Sequence, residues 1–331
     1  MRLCSTFKTL IRKIVNRNAI VMFIFSTTSC FAQQDPQFTQ YMFNNLYYNP
    51  GFSGVEGISK VQALYRSQWT GYQPTFYEGG APTSQLVSYS TPILKMNSGF
   101  GAYIMNDKLG PQNNLEAQAS YAYHWRVKNS KLSVGIRTGL FSQTINSDLY
   151  SPIDKDDPSL PRPYSGKWNR TKPDMAAGIF FRNEKFYLGA GVNHLIKLKF
   201  DFTDVQRNSL KAHTYISAGY FYEVNFDLRL QFVALVKSDF VKTQFDIGGI
   251  AYLKDNMWGG LSFRQSEAAI VMLGYNNLLK DKSMKVGYSM DVIVKGREAK
   301  QPLSHELMVS YELPVSLGVG KKTIRTPRYR H

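Results

Sequence analysis

Apolar and polar residues alternate along short segments over most of this chain. Between Glu116 and Lys128, every second residue is apolar or aromatic, and the residues between them are mostly polar or charged. A two-residue period is typical of a β-strand whose two faces meet different surroundings. After the first 32 residues, no apolar run approaches the roughly 18 residues that a membrane-spanning helix needs. The sequence therefore predicts an all-β fold.

Fourteen alternating segments can be counted, and most have about the ten residues that a tilted strand needs to cross a bilayer. Connections after odd-numbered segments are often long and those after even-numbered segments mostly short, although the connections near Val241, Ser266 and 277–281 break this rule. This sorting is typical of an outer-membrane barrel. The predicted strands are 58–70, 84–93, 98–107, 115–128, 131–144, 173–183, 185–196, 210–224, 226–240, 242–254, 256–265, 267–276, 282–294 and 304–314.

The two faces of these segments differ as a membrane barrel requires. We expect the apolar face to meet lipid and its aromatic residues to form girdles at the membrane interfaces. Charges on the opposite face would be costly in a dry core but suit a polar lumen. The expected girdle residues include Tyr65, Trp69, Tyr123, Trp125, Phe180, Phe181, Tyr220 and Tyr222, and the expected lumen residues include Arg66, Gln68, Arg126, Arg137, Glu223, Arg229, Gln231, Asp246 and Arg264.

We therefore predict a transmembrane outer-membrane β-barrel of about 14 antiparallel strands over residues 58–314. An even strand number places both strand termini on the periplasmic side. Residues 315–331 are then a basic periplasmic tail, for which we expect partial disorder.

The first 32 residues have the pattern of a secretory signal peptide. Basic residues precede an apolar run from Ala19 to Phe25, and cleavage is expected near Ala32. Lipidation of Cys30 is the alternative, although Thr27 stands where a lipidation signal usually has an aliphatic residue. Both cysteines, Cys4 and Cys30, lie in this leader, so the mature chain can form neither disulfides nor thiolate metal sites.

The chain is strongly basic, with a formal net charge of +16. Its Lys and Arg residues are spread along the sequence without a nucleic-acid-binding motif, which argues against nucleic acid as a partner. Anionic glycans, anionic lipid or an acidic protein are the partners that such a charge favours.

Residues 33–57 differ from everything that follows. Tyr41, Met42, Phe43, Leu46 and Tyr47 do not alternate with polar residues. The sequence Asn49-Pro50-Gly51 then stops any helix, because Pro50 fixes its own φ and pushes the preceding residue out of the helical region. We predict a short amphipathic turn or helix from about Gln37 to Tyr47, placed at the periplasmic mouth of the barrel or folded into its lumen as a plug.

The motif QxxxYMFNxLYYNPGFSG, from Gln37 to Gly54, strongly resembles the opening of the PorP/SprF family of type IX secretion membrane proteins. The resemblance continues through YRSQWTG at 65–71, GFGAYIMNDKLGP at 99–111 and HELMVSYEL at 305–313. It thus covers nearly the whole mature chain.

This resemblance implies a non-enzymatic, integral component of the type IX secretion system in a Bacteroidota-type outer membrane. Its partners would be other secretion components and large surface proteins with C-terminal sorting domains, gliding adhesins among them. Its mechanism would be docking rather than catalysis, and Tyr41, Asn44, Asn49, Pro50 and Gly54 would set the N-terminal segment. The alternative is an outer-membrane pore or small-solute transporter.

Two further motifs of the resemblance have alternative interpretations. Asn106-Asp107, with Gly110-Pro111, predicts a turn ordered by Asx hydrogen bonds, or a site where a partner docks. Around Tyr65, alternation puts Arg66 and Gln68 in the lumen and Trp69 in a girdle. A contact between Arg66 and the N-terminal segment is the second interpretation.

The loop 146–172 is the most interaction-like surface in the sequence. It has four prolines and aromatic residues, including Tyr164 and Trp168, which a disordered tether would lack. We expect an ordered lid or a binding loop for a secreted partner. Its acidic run Asp154–Asp157 lacks the spacing of a known calcium loop.

Cofactor or metal chemistry has no readable signature. The five histidines have no metal-ligand spacing, and Gly99-x-Gly101 and Gly189-x-Gly191 lie inside strands without a following helix. We interpret these glycines as close-packing or strand-bend positions rather than a dinucleotide loop. A barrel-embedded hydrolase would need a nucleophile beside a base, and the consecutive Ser304-His305-Glu306 alternates faces instead.

Overall fold

The computed structural model describes residues 35–73, 80–149, 166–196, 198–201, 207–279, 283–295 and 300–313. The predicted leader, the predicted basic tail and most of the loop around Tyr164 lie outside these ranges, so the expectations made for them stay predictions. Within the described part of the chain, no helix is long and apolar enough to cross a membrane.

Fourteen antiparallel strands close into a barrel, which confirms the predicted fold class. Each strand pairs with the next, and β1 closes the ring on β16 in the register Ala63↔Val309. Two short strands, β8 and β9, form a separate hairpin between β7 and β10. The strands are β1 (Ser59–Ser67), β2 (Thr83–Ile93), β3 (Ser98–Leu109), β4 (Gln112–Val127), β5 (Ser130–Asn146), β6 (Lys167–Arg182), β7 (Phe186–Asn193), β8 (Leu198–Asp201), β9 (Arg207–Leu210), β10 (His213–Glu223), β11 (Leu228–Ser238), β12 (Thr243–Leu253), β13 (Met257–Arg264), β14 (Ala268–Tyr275), β15 (Met284–Ile293) and β16 (Leu303–Leu313).

The barrel has two unlike ends. At one, the turn end, β1 begins, β16 ends, and the connections include 94–97, 128–129, 183–185, 224–227 and 254–256. At the other, the loop end, lie the long connections 68–82, 147–166, 194–212 and 294–302. The connection between β3 and β4 was expected to be long at 108–114 but is only Gly110-Pro111, because alternation and strand pairing continue to Leu109.

The predicted faces are confirmed along most strands. In β4, the residues at odd positions from Ala117 to Trp125 point outward, whereas Glu116, Gln118 and Ser120 are buried. The outer surface carries large exposed apolar side chains on every side, such as Leu261 at 67% exposure and Ile136 at 60%. An apolar belt of this size around a barrel is what lipid contact requires.

Five of the expected girdle residues are exposed near strand ends: Tyr65, Tyr123, Trp125, Tyr220 and Tyr222. Phe180 was placed wrongly, because it is 1% exposed and stacks inside the barrel on Tyr187. Trp69 was also placed wrongly. It follows the end of β1 with a φ of 52°, and this turn directs its ring toward Tyr72 instead of continuing the strand's alternation.

The segment from Pro36 to Gly57, called the plug here, fills the lumen. The turn or helix predicted from about Gln37 to Tyr47 is divided in the structure into a 3-10 turn at Tyr41–Phe43 and a one-turn helix α1 (Asn45–Tyr48), and a second 3-10 turn follows at Pro50–Phe52. Asn44 interrupts the helix at φ −116° and ψ 39°. Because the barrel surrounds the plug on all sides, no single apolar face has to repeat at helical spacing.

Candidate functional site

The plug runs through the barrel from the loop end to the turn end. Gln37 donates to Gln244 Oε1 at 2.5 Å, beside the start of β12 at the loop end. At the other end, Gly54 N donates to Ser90 Oγ at 2.9 Å, and Lys131 Nζ donates to Val55 O at 2.7 Å. The plug therefore enters β1 at the turn end, while its first residues lie near the opposite rim. The start of β1 and the end of β16 lie at the same end of the barrel, as predicted. The start of the plug lies at the opposite end.

A buried charge network holds the part of the plug that lies near the loop end. Arg66 of β1 pairs with Asp291 of β15 at 2.7 Å and approaches Glu306 of β16 at 3.5 Å. Arg264 bridges Asp291 at 3.2 Å and Asp246 at 2.9 Å. These five side chains, called the charge network, are at most 9% exposed. Alternation along β1, β12, β13, β15 and β16 brings them to the same level of the lumen.

The plug backbone and side chains complete this network. Glu306 accepts from the backbone N–H of Thr39 at 2.7 Å and of Gln40 at 2.8 Å. Thr39 Oγ1 donates to Asp291 at 2.8 Å, and Arg66 donates to Thr39 Oγ1. Charges buried this deeply are tolerated only when they are paired and hydrogen-bonded. The plug thus supplies donors that the carboxylates of the empty barrel would lack.

Glycines on the facing strands let the part of the plug near the turn end approach the barrel wall closely. The glycine track comprises Gly99 and Gly101 of β3, Gly135 of β5, Gly178 of β6 and Gly191 of β7. A Cβ built on Gly135 would lie 2.5 Å from the carbonyl carbon of Pro50, and one on Gly99 would overlap the carbonyl oxygen of Ser53. The close-packing role expected for Gly99 and Gly101 is thereby explained by contact with the plug.

The region of Asn49 and Pro50 is fixed by side-chain hydrogen bonds as well. Asn49 Nδ2 donates to the carbonyl oxygens of Ile179 at 2.9 Å and Ala190 at 3.2 Å, and Asn49 Oδ1 accepts from Gly51 N at 2.8 Å. One side chain therefore caps the second 3-10 turn and ties the plug to β6 and β7. Next to it, Arg137 donates to the Tyr47 carbonyl at 2.7 Å.

A water-accessible cavity, the vestibule, opens at the turn end below the plug. It has a volume of about 370 Å³ and is lined by residues of β6, β10 and β11 and by Val55 and Glu56 of the plug. Burial acts to raise the pKa of the Glu56 carboxyl, but the Lys60 ammonium 2.7 Å away outweighs it and holds that pKa below its ordinary value. Glu56 is therefore an ionised partner of Lys60 at this mouth.

Most residues that the sequence singled out in the plug make lumen contacts. Tyr41 is buried, with its hydroxyl 3.5 Å from the Asp246 carbonyl. Gly54 has a φ of 68°, which favours glycine, and packs on Gly99. Asn44 is 2% exposed, and its side-chain amide makes no hydrogen bond within the described residues. The structure shows the second interpretation of Arg66, since its side chain contacts Thr39 of the N-terminal segment.

The remaining candidates are scattered. Gln68 follows β1 and holds Pro82 through its backbone N–H, and Trp69 lies under the ammonium of Lys300. Asn106-Asp107 is not a turn but part of β3, where Asp107 accepts from Ser84 Oγ at 2.6 Å. Trp168 is in β6 rather than in a loop, because that strand starts earlier than predicted, and Tyr164 lies outside the described residues.

Sequence reasoning missed the acidic side of the charge network as a site. Asp291 and Glu306 are 225 and 240 residues away from Arg66, so no local motif joins them. One signal could have indicated this site: several strands each carry a charged residue at a lumen-facing position near the same end of the barrel. Likewise, Asp174 of β6 and His194, the residue after β7, approach each other to 3.0 Å, although nothing in their spacing indicates it.

Comparison with known proteins identifies the family. Residues 30–311 match the model of the type IX secretion system membrane protein PorP/SprF. The chain belongs to the PorP/SprF family. No protein of curated function matches this sequence significantly. As a member of this family with a barrel fold, it is an outer-membrane protein. Short turns of such barrels usually lie in the periplasm, so we expect the turn end to face the periplasm and the loop end the exterior.

Solved structures similar to this PorP/SprF protein are outer-membrane barrels. The CymD monoaromatic hydrocarbon channel has a TM-score of 0.50 at 10% identity, covering 81% of this chain and 91% of its own. The toluene transporter TbuX of Ralstonia pickettii has a TM-score of 0.48 at 11% identity, with 81% and 92% covered. A FadL homologue of Pseudomonas aeruginosa has 0.42 at 12%, with 77% and 90% covered. Likeness at this identity concerns the fold alone.

Substitution of Arg66 tests the charge network. Arg66→Met leaves Asp291 and Glu306 buried with fewer partners, and breaking a buried pair in this way costs about 3–5 kcal/mol. We expect a loss of that size in the free energy of unfolding, measured by urea titration of the detergent-solubilised protein. Arg126→Gln, an exposed arginine at the turn end, is the control and should stay within about 0.5 kcal/mol of the parent. Equal stabilities of the two variants would contradict the role of the network.

Substitution of Gly99 tests the glycine track. Gly99→Ala places a methyl group against the Ser53 carbonyl, and overpacking of this kind costs about 1–3 kcal/mol. The same urea titration should register that loss, together with faster proteolysis within the plug. Gly259→Ala is a matched control, because its Cβ would meet only the Met272 carbonyl at 3.7 Å. A Gly99→Ala protein as stable and resistant as the Gly259→Ala protein would rule out close docking at this point.

Proposed function

We propose that this protein docks large surface proteins with C-terminal sorting domains for the type IX secretion system and helps to export and retain them at the cell surface. Gliding adhesins are clients of this kind. The proposed role is non-enzymatic and needs no cofactor. Docking would take place at the loop end, which faces the exterior, in contact with other components of the secretion system.

The occupied lumen is the observation that carries this proposal. The plug spans the barrel, and Thr39, Gln40 and Ser53 within it have no exposed surface. A protein that moves solutes through its lumen would have to break the charge network and lift the plug from the glycine track. A docking protein can instead use the filled barrel as a rigid support for its outer loops.

The loop end offers apolar side chains to a protein partner. Phe240 and Val241, in the connection between β11 and β12, are 78% and 57% exposed, and Leu195 after β7 is 48% exposed. They lie in connections beyond the ends of β11 and β7. Aromatic and apolar residues of this kind form the energetic centres of protein interfaces. The loop 147–166, with Tyr164, and the adjacent Trp168 are proposed to extend this docking surface.

The pore or small-solute transporter is the second candidate, and only the fold favours it. CymD is named as a monoaromatic hydrocarbon channel, and it has the same kind of barrel. At 10% identity this likeness does not extend to the transported solute.

Surface proteolysis of cells that lack this protein distinguishes the two candidates. Deletion should remove one or a few large sorting-domain proteins from the material that protease releases from intact cells, and the wild-type gene should restore them. Complementation with the double variant Phe240→Ser and Val241→Ser should restore markedly less, because the apolar contacts of the partner are lost. Phe226→Ser, at a fully exposed phenylalanine of the turn end, is the control and should complement fully.

An unchanged surface proteome in the deletion strain, together with altered uptake of a small solute, would overturn the docking role and support the pore. Full restoration by the double variant at the level of the Phe226→Ser control would remove Phe240 and Val241 from the docking surface.

A further inference from the structure

The vestibule at the turn end has the features of a binding site for an anion with an apolar part. It continues inward into a second cavity of about 160 Å³ between the plug and the barrel wall. Glu56, Arg182, Phe221 and Arg229 line both cavities, so the two form one recess that opens toward the periplasm. None of these residues belongs to the proposed docking surface, which lies at the other end of the barrel.

Arg182 supplies the first element of this site. It is the last residue of β6 and is only partly buried. Within the described residues, no hydrogen bond or salt bridge to its guanidinium is found; its charge acts on Glu56, whose directly paired partner is Lys60. A guanidinium whose N–H donors have no hydrogen-bond partner among the described residues is suited to bidentate binding of a carboxylate or a similar anion.

Arg229 supplies a second donor at the same place. Its Nη2 atom pairs with Asp255 at 2.8 Å, but its Nε–H is buried and makes no hydrogen bond to any described residue. The guanidinium carbon lies 5.0 Å from the ring of Tyr252 and 5.8 Å from the ring of Phe221. These contacts place the guanidinium between two aromatic rings at the wall of the recess, where it adds a second positive charge beside Arg182.

Aromatic side chains form the inner wall. Phe52 of the plug packs edge-on against Phe180, and Phe180 stacks on Tyr187, with Phe221 packed beside them. This wall lies deeper than the entrance, where Lys131 and Arg182 are found. A ligand would therefore place an apolar group inward and its charge at the entrance, beside Lys131 and Arg182.

We propose that the vestibule binds a carboxylate carried on an aromatic or other apolar group. Two sources share this chemistry: the C-terminus of a peptide that ends in an aromatic residue, and a free arylalkyl carboxylate. Three carboxylates at the rim, Glu56, Glu184 and Glu223, disfavour ligands with several negative charges. The site thus selects one carboxylate with a hydrophobic body rather than polyanions.

Calorimetric titration of the complete, detergent-solubilised protein tests this site. The probes are a pentapeptide with a C-terminal phenylalanine, the same peptide with an amidated C-terminus, and 3-phenylpropionate. We expect the free-acid peptide to bind at least about tenfold more tightly than its amide, because a charge-assisted bidentate pair is lost. Binding of 3-phenylpropionate at equal strength assigns the site to a free carboxylate, and tighter binding of the peptide assigns it to a chain terminus.

Variants of Arg182 separate binding from folding. Arg182→Gln should weaken binding of the free-acid peptide about tenfold, Arg182→Lys should restore part of it, and Arg126→Gln should leave it unchanged. Heat-modifiable migration on gels checks that each variant keeps a closed barrel. Equal binding of acid and amide, absence of binding by either carboxylate probe, or full binding by a folded Arg182→Gln protein would each overturn the proposal. None of these outcomes bears on docking at the loop end.

Discussion

The buried pair of Arg66 and Asp291 is the interaction on which the arrangement of the lumen depends. It joins β1 to β15, and through Glu306 and Arg264 it extends to β16 and β13. Buried charges of this kind are stabilising only when every one of them finds partners. The N–H groups of Thr39 and Gln40 are among those partners. The same charge network therefore joins the strands of the barrel and positions the plug. Without the plug these buried charges would destabilise the barrel, whereas the plug supplies partners for them.

The glycine track provides the space that the plug backbone needs inside the barrel. Barrel walls normally fill their interior with side chains, but Gly99, Gly135 and Gly178 leave room for the plug backbone between Asn49 and Gly54. Polar contacts near the loop end and close backbone packing near the turn end hold the plug at both ends. Because the lumen is occupied in this way, we propose that this protein meets its partners at the outer loops and at the vestibule.

The sequence was informative about the barrel and less so about its contents. Alternation predicted all fourteen barrel strands, since lipid on one side and a polar lumen on the other impose a two-residue period. The prediction failed at three places: Trp69 sits in a left-handed turn, Phe180 packs against Phe52 of the plug, and Asn106-Asp107 continues a strand despite its turn-forming composition. The partners of Arg66 lie more than 200 residues away, and only the closed barrel brings them together.

Disulfide trapping tests the fixed plug most directly. The mature chain is expected to lack cysteine, and Ser53 Oγ of the plug lies 2.7 Å from Ser120 Oγ of β4. A Ser53→Cys and Ser120→Cys double variant should form its disulfide nearly completely under mild oxidation of intact outer membranes, and each single variant should form none. If the disulfide does not form, and both thiols instead react with a maleimide reagent applied from outside the cell, the plug does not occupy the lumen and the account is wrong.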